Sequence, residues 1–182
     1  MKKSIQLLLV VSLFTAFSCK QSSEAPATTE EATTQGAGQS AVKDESSSPN
    51  IVQTASGSKD HTTLVTAVKA AGLVDVLSNA GPFTVFAPTN AAFDKLPKGT
   101  VEGLLKPEKK DDLKNILEYH TYVGALKTEY MQDGQEYEQV NGGKVKITKK
   151  GDKVYVNGSE IVASIPTSNG IIHVINDVLL PK

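Results

Sequence analysis

The spacing of apolar residues changes period at Phe83. From Phe83 to Ala87 the residues are β-branched, aromatic or small, with Phe83, Val85 and Ala87 on one side of a period-two pattern and Thr84 and Phe86 on the other. Such a run predicts a pleated strand. Pro88 ends it, because proline has no N–H for a ladder and pushes Ala87 toward extended geometry. Thr89 or Asn90 can then cap a helix continued by Ala91, Ala92, Phe93 and Leu96. Before this stretch, Leu64, Val65, Val68 and Ala71 follow helical spacing, with His61 or Thr62 available as the cap and Gly72 as the left-handed terminator. A second short helix with Leu73, Val76 and Leu77 on its apolar face leads to the turn Asn79-Ala80-Gly81-Pro82.

After the strand, Thr100 suits the N-cap of a helix carrying Val101, Leu104 and Leu105, which Pro107 breaks. Asp111 and Asp112 open the next helix, where negative charge suits the positive helix start. That helix places Leu113, Ile116, Leu117 and His120 on one face, so His120 is expected to be buried and hydrogen-bonded. The remainder predicts β structure. Lys144 to Thr148 and Lys153 to Val156 alternate across a turn at Lys149 to Asp152, and Asn157-Gly158 marks another turn. Ile161, Ala163 and Ile165 carry a further strand, and Asn169-Gly170 turns into the last one. There Ile171, His173 and Ile175 face one way and Ile172, Val174 and Asn176 the other. A strand apolar on both faces belongs at the centre of a sheet, so this one is expected beside the Phe83 strand, covered by helices, with His173 as an internal hydrogen-bonding residue. Together these elements predict an α+β domain.

The N-terminal third has a different texture. Met1-Lys2-Lys3 is followed by an apolar run from Ile5 to Phe17, the layout of a secretory signal and too short to span a bilayer. The single cysteine of the chain stands just after it, and Ala16-Phe17-Ser18-Cys19 resembles a bacterial lipobox, with Ala16 where leucine is usual and Phe17 where a smaller residue is. Residues 1–18 are therefore expected to be a signal peptide and Cys19 the lipidated anchor, leaving no thiol for a disulfide. Two or more acyl chains would hold the protein firmly, at about 0.8 kcal/mol per buried methylene. Residues 19–57, rich in Ser, Thr, Ala, Gln, Glu, Gly and Pro with no aromatic residue, are expected to be a flexible tether, because such a composition cannot bury enough surface to offset its ordering entropy. The globular domain is expected from Ser58 to Lys182. A net charge of −1 gives no electrostatic reason to expect nucleic acid as a partner.

Three motifs carry a family resemblance. Phe83-Thr84-Val85-Phe86-Ala87-Pro88-Thr89-Asn90-Ala91-Ala92-Phe93 resembles the first signature of the fasciclin (FAS1) domain family. Asn169-Gly170-Ile171-Ile172-His173-Val174-Ile175-Asn176-Asp177-Val178-Leu179-Leu180-Pro181 resembles its C-terminal signature, and Tyr119-His120 lies between the two as the family's middle motif does. The resemblance implies a wedge-shaped, mixed or antiparallel β-sheet with packed α-helices. In it Phe83, Phe86, Pro88, Thr89, Asn90, Phe93, Asn169, Gly170 and His173 are structural motif residues. It also implies adhesion or binding to a protein, matrix or polysaccharide partner at the cell envelope. In animal relatives the Tyr-His motif and its neighbouring aliphatics are implicated in integrin binding. The matching residues here, Tyr119 and His120 flanked by Leu117 and Val123, are the binding candidates by resemblance, and Tyr119, Tyr122 and Tyr130 are the expected exposed aromatic anchors. Two positions depart from the family pattern: Ser164-Ile165 replaces an Asp-Ile pair, and Asn176 replaces an aspartate.

Catalytic chemistry is not visible. His61, His120 and His173 are far apart with no HExxH spacing, and there is no GxSxG, no phosphate-cradling GxxxxGK and no spare cysteine. No enzyme activity, metal or cofactor is expected. The expected product is an exported lipoprotein of the cell surface or periplasm, or alternatively a secreted protein. A rival reading is a periplasmic carrier of a small hydrophobic ligand, which requires an apolar cavity of several hundred Å3 between helices and sheet. A hydrolase requires His120 or His173 beside both a serine and a carboxylate.

Overall fold

A computed structural model describes residues 48–181. The expectations for the signal peptide, Cys19 and most of the tether fall outside the described residues. Helical structure is present before Ser58. Ile51–Ser56 form a helix, α1, closed by a capping box in which Asn50 Oδ1 accepts from the Gln53 amide and Gln53 Oε1 accepts from the Asn50 amide, both at 2.9 Å. Ile51 is buried against the helical core, so residues before Ser58 pack on the domain.

Thr62–Ala71 form α2, which ends as expected at Gly72 in the left-handed conformation (φ 73°). Neither of the expected caps serves its start. His61 makes no capping bond, and the Thr63 amide donates instead to Asn90 Oδ1 at 3.0 Å. α3 (Val74–Ser78) buries Leu77 but leaves Val76 half exposed, contrary to the apolar face expected for it. Strand β1 (Phe83–Pro88) leads directly into α4 (Asn90–Asp94), whose cap is Thr89, accepting from the Ala92 amide at 3.3 Å. Asn90 is thereby released for its long-range bond. α5 (Thr100–Leu104) is entered from Gly99, with Thr100 as its first residue and not its cap, and α6 (Lys110–Tyr119) carries Asp111 and Asp112 in its first turn.

The strands that follow are β2 (Thr121–Val123), β3 (Glu136–Glu138), β4 (Lys144–Lys150), β5 (Lys153–Val156), β6 (Ser159–Thr167) and β7 (Gly170–Ile175). With β1 they make a mixed seven-stranded sheet in the order β2-β1-β7-β6-β5-β4-β3. The single parallel pairing joins β1 to β7, and the two lie side by side, each buried on both faces as expected of central strands. A bond from the Val140 amide to the Thr121 carbonyl, 2.9 Å, ties the chain after β3 back to β2 and nearly closes the sheet into a wedge.

The pleat of β1 and β7 sorts the core into two. Val85, Ala87, Ile172 and Val174 face the helices, where they meet Leu64, Val68, Leu113 and Leu117. Phe86 and Ile175 point into the wedge, with Met131, Val145, Ile147 and Val156. At the start of the parallel pair Phe83 faces Gly170 in register, and a side chain at position 170 would collide with the Phe83 carbonyl. Only glycine permits that approach. Asn169, immediately before it, is a junction. Its Oδ1 accepts from the Ile51 amide at 2.9 Å, and its Nδ2 donates to the Leu77 and Asn79 carbonyls at 2.8 and 2.9 Å.

Candidate functional site

Tyr119 and His120 occupy the end of α6 and the entry to β2, and both side chains are turned inward. His120 is 2 % exposed. Its Nδ1 donates to the Ile116 carbonyl at 2.8 Å, and its Nε2 accepts from the Leu179 amide at 3.0 Å. The pair of bonds fixes a neutral tautomer, and complete burial lowers its pKa from 6.5 to about 4. His120 thus ties the helix end to the C-terminal segment.

Tyr119 corrects an expectation. It lies off the Leu113–His120 stripe, yet it is only 4 % exposed, because β4 covers it. Its hydroxyl donates to the Lys144 carbonyl at 2.8 Å and accepts from Asn157 Nδ2 at 2.9 Å. It is not an exposed anchor. Of the other tyrosines expected at the surface, Tyr130 is exposed (67 %). Tyr122 is half buried and meets Tyr137 edge to face at 5.6 Å. Val123, beside Tyr122, is 64 % exposed, and Val140, whose backbone bonds to Thr121, is 46 % exposed. An apolar seam therefore follows the junction of β2 with the chain after β3, next to the buried Tyr-His pair. Local spacing does not signal it, since Thr121 and Val123 share one side of the strand's alternation and yet Thr121 is buried and Val123 exposed.

His173 is fully buried and stacks on Phe86 with ring centroids 5.7 Å apart. Its Nε2 donates to the Leu126 carbonyl at 2.7 Å, and its Nδ1 accepts from the Ser164 hydroxyl at 2.8 Å. Burial lowers its pKa. Ser164, the residue in place of the family's aspartate, thus satisfies the imidazole. The serine and histidine of a hydrolase come together here, but their third partner is a backbone carbonyl where that chemistry requires a carboxylate. Asn176, the other departure, keeps a hydrogen-bonding role: its Oδ1 accepts from the Glu160 amide at 3.0 Å and from the Ser159 hydroxyl at 3.1 Å. His61 is placed apart from both other histidines, with Nδ1 2.8 Å from Ser58 Oγ. Among the described residues no three His, Cys, Asp or Glu side chains converge in a metal-holding arrangement, and no helix is long and apolar enough to cross a membrane.

The other motif residues hold the fold together. Thr89 caps α4 and Gly170 admits Phe83. Asn90 clamps α4 to the start of α2, since its Nδ2 also donates to the Lys59 carbonyl at 2.9 Å. Phe83 and Phe93 pack on the helical core, and Pro88 closes β1 opposite Ile175. The apolar cavity between the helices and the sheet and another among the helices hold about 30 Å3 each, roughly the share of one water molecule. That is far less than a carrier of a hydrophobic ligand needs.

Residues 59–181 match the fasciclin domain. Protein sll1483 of Synechocystis is 49 % identical over 136 residues, covering 74 % of this chain and 75 % of that protein. Immunogenic protein MPB70 of Mycobacterium bovis is 33 % identical over 162 residues, covering 86 % and 81 %. Transforming growth factor-beta-induced protein ig-h3 of Sus scrofa is 36 % identical over 132 residues, covering 72 % of this chain and 19 % of its own length. Among solved structures, a FAS1 domain pair from the insect cell adhesion molecule Fasciclin I superposes with a TM-score of 0.63 at 17 % identity, over 72 % of this chain and 51 % of that one. With three motifs at structurally necessary positions, a mixed-sheet wedge of the same fold and a match over residues 59–181, the chain belongs to the fasciclin domain family.

Proposed function

We propose that this chain is an adhesion-type binding module held at the cell envelope by a lipid on Cys19 and carried on a flexible tether. It meets a protein, matrix or polysaccharide partner through the β2 seam. The supporting observation is the contrast within one short stretch. Tyr119 and His120 are buried and bonded within the domain, whereas Val123 is 64 % exposed and Tyr130 67 %. Apolar and aromatic side chains held on a firm frame are the anchors that binding surfaces use, and the bonds of Tyr119 and His120 fix the helix end from which β2 departs. The family supports a binding role, and the name of the Fasciclin I structure describes that insect protein as a cell adhesion molecule.

Two experiments test this reading. Mass spectrometry of the mature N-terminus is expected to find a lipid-modified Cys19; an unmodified start downstream of it refutes the anchor. Adhesion of cells displaying the protein is expected to fall at least tenfold with Val123→Asp and Tyr130→Ala combined, with thermal unfolding unchanged. Full adhesion in that variant refutes the seam as the contact surface. Protease shaving of intact cells separates the locations. Loss of the domain places it on the surface, and protection with digestion after lysis places it in the periplasm.

A further inference from the structure

The described domain carries a polar hollow with room for a ligand. An open groove of about 570 Å3 lies between the end of α6 and the outer face of β4, within the range of small-ligand sites, about 300–1,000 Å3. We propose that this groove binds a hydroxyl-rich oligosaccharide segment. The proposal goes beyond the seam surface and shares none of its residues.

The floor is fixed by internal bonds. Tyr119 spans Lys144 and Asn157 beneath it, and Gly143 lies against the tyrosine ring so closely that a side chain there would collide with it. Asn141 Nδ2 donates to Asn115 Oδ1 at 2.9 Å, and Asn141 Oδ1 accepts from the Gly143 amide at 3.0 Å. Asn157 Oδ1 accepts from the Lys146 amide at 2.8 Å. Each amide is thus oriented before any ligand arrives, which lowers the ordering cost of binding.

The walls retain hydrogen-bonding capacity of both kinds. Asn115 keeps its Nδ2 hydrogens, and Lys144 and Lys146 project from the exposed side of β4 opposite Glu138 and Glu136 in register. None of these four charged groups closes an ion pair among the described residues. A sugar hydroxyl both donates and accepts, so ammonium and amide donors set beside carboxylate acceptors match it. Charges of both signs in the lining also mean that the ligand needs no net charge. A protein partner would need an apolar anchor; Pro181 is the one apolar aliphatic residue on the rim.

The test uses 15N-labelled full chain titrated with three probes: a β-1,4-glucan tetrasaccharide, an N-acetylglucosamine tetrasaccharide and a uronic-acid tetrasaccharide. At least one is expected to shift the amide signals of Asn115, Asn141, Gly143, Lys144, Lys146 and Asn157 as a contiguous set. The surface variant Asn115→Ala with Lys144→Ala is expected to weaken that binding about tenfold, with thermal unfolding unchanged. Absence of shifts with every probe overturns the proposal, as does a set of shifts centred on Val123 and Tyr130, or undiminished affinity in the variant. Inorganic phosphate is the control: if it alone reproduces the shifts, the groove is an anion site and the oligosaccharide assignment fails. The seam variant Val123→Asp is expected to bind the saccharide normally, so either site can fail without the other.

Discussion

Asn169→Ala is expected to be the most damaging conservative change in the domain. The asparagine is 8 % exposed and joins three elements that are distant in sequence. Truncation leaves the Ile51 amide and the Leu77 carbonyl buried without partners, and the Asn79 carbonyl partly so. An unsatisfied buried polar group costs about 1–3 kcal/mol. Two such groups and a partly solvated third come to about 3–5 kcal/mol, a large share of the roughly 5–15 kcal/mol that holds a domain folded. The melting temperature is expected to fall by roughly 10–20 °C for a domain of this size. Asn169→Asp sharpens the test. It retains an acceptor for the Ile51 amide but sets a carboxylate oxygen against two carbonyl oxygens, so it is expected to be no milder than alanine. Circular dichroism melts and urea titrations of the three proteins measure this. A loss below about 1 kcal/mol for Asn169→Ala, or an aspartate variant more stable than the alanine one, would refute the junction.

Stability is expected to decline as pH falls from 6.5 to 4. Below pH 6.5 the unfolded chain protonates His120, while the folded chain does so only near its lowered value of about 4. The unfolded state then binds more protons, which amounts to a loss on the order of 3 kcal/mol across that window. His61 and His173, also lowered by burial, act in the same direction. A urea midpoint equal at pH 7 and pH 4.5 would show this to be wrong. Tyr119→Phe is expected to cost about 1–2 kcal/mol by releasing Asn157 Nδ2 and the Lys144 carbonyl, without weakening adhesion; an adhesion defect at full stability would return Tyr119 to the contact surface. A chain starting at Ser58 is expected to be less stable than one starting at Ser48 by about 2–4 kcal/mol, through the lost burial of Ile51 and its bond to Asn169. Equal denaturation curves would favour a boundary at Ser58.

Much of the fold was legible from periodicity. The β1 run, the α6 stripe ending in His120 and the hairpin of β4 and β5 each follow from local spacing. β7, apolar on both faces around His173, announced its central place beside β1. What escaped was decided at long range. α1 is six residues long, and its one local sign is the Asn50–Gln53 capping box; its reason to fold is Ile51 packing on a core assembled from later residues. Asn90 resembles a cap and instead serves a different helix, a role no local window contains. Tyr119 lies off the apolar stripe of its own helix, so spacing exposes it, while β4, more than twenty residues later in the chain, buries it. The apolar seam and the polar groove were equally hidden, since both arise where β3 and β4 fold back against α6 and β2.

The entry of the chain into the domain has a mechanical consequence. The Ser168 amide donates to the Pro49 carbonyl at 3.1 Å, and the next fastening joins Ile51, two residues after Pro49, to Asn169, the residue after Ser168. Tension applied through the polypeptide before Ser48 therefore reaches these bonds and α1 before it reaches the strands. Behind them stands the parallel β1–β7 pair with its six registered residue pairs. α1 is positioned as a sacrificial link. Under such a load its release lengthens the chain outside the sheet and absorbs the pull while β1 and β7 stay paired.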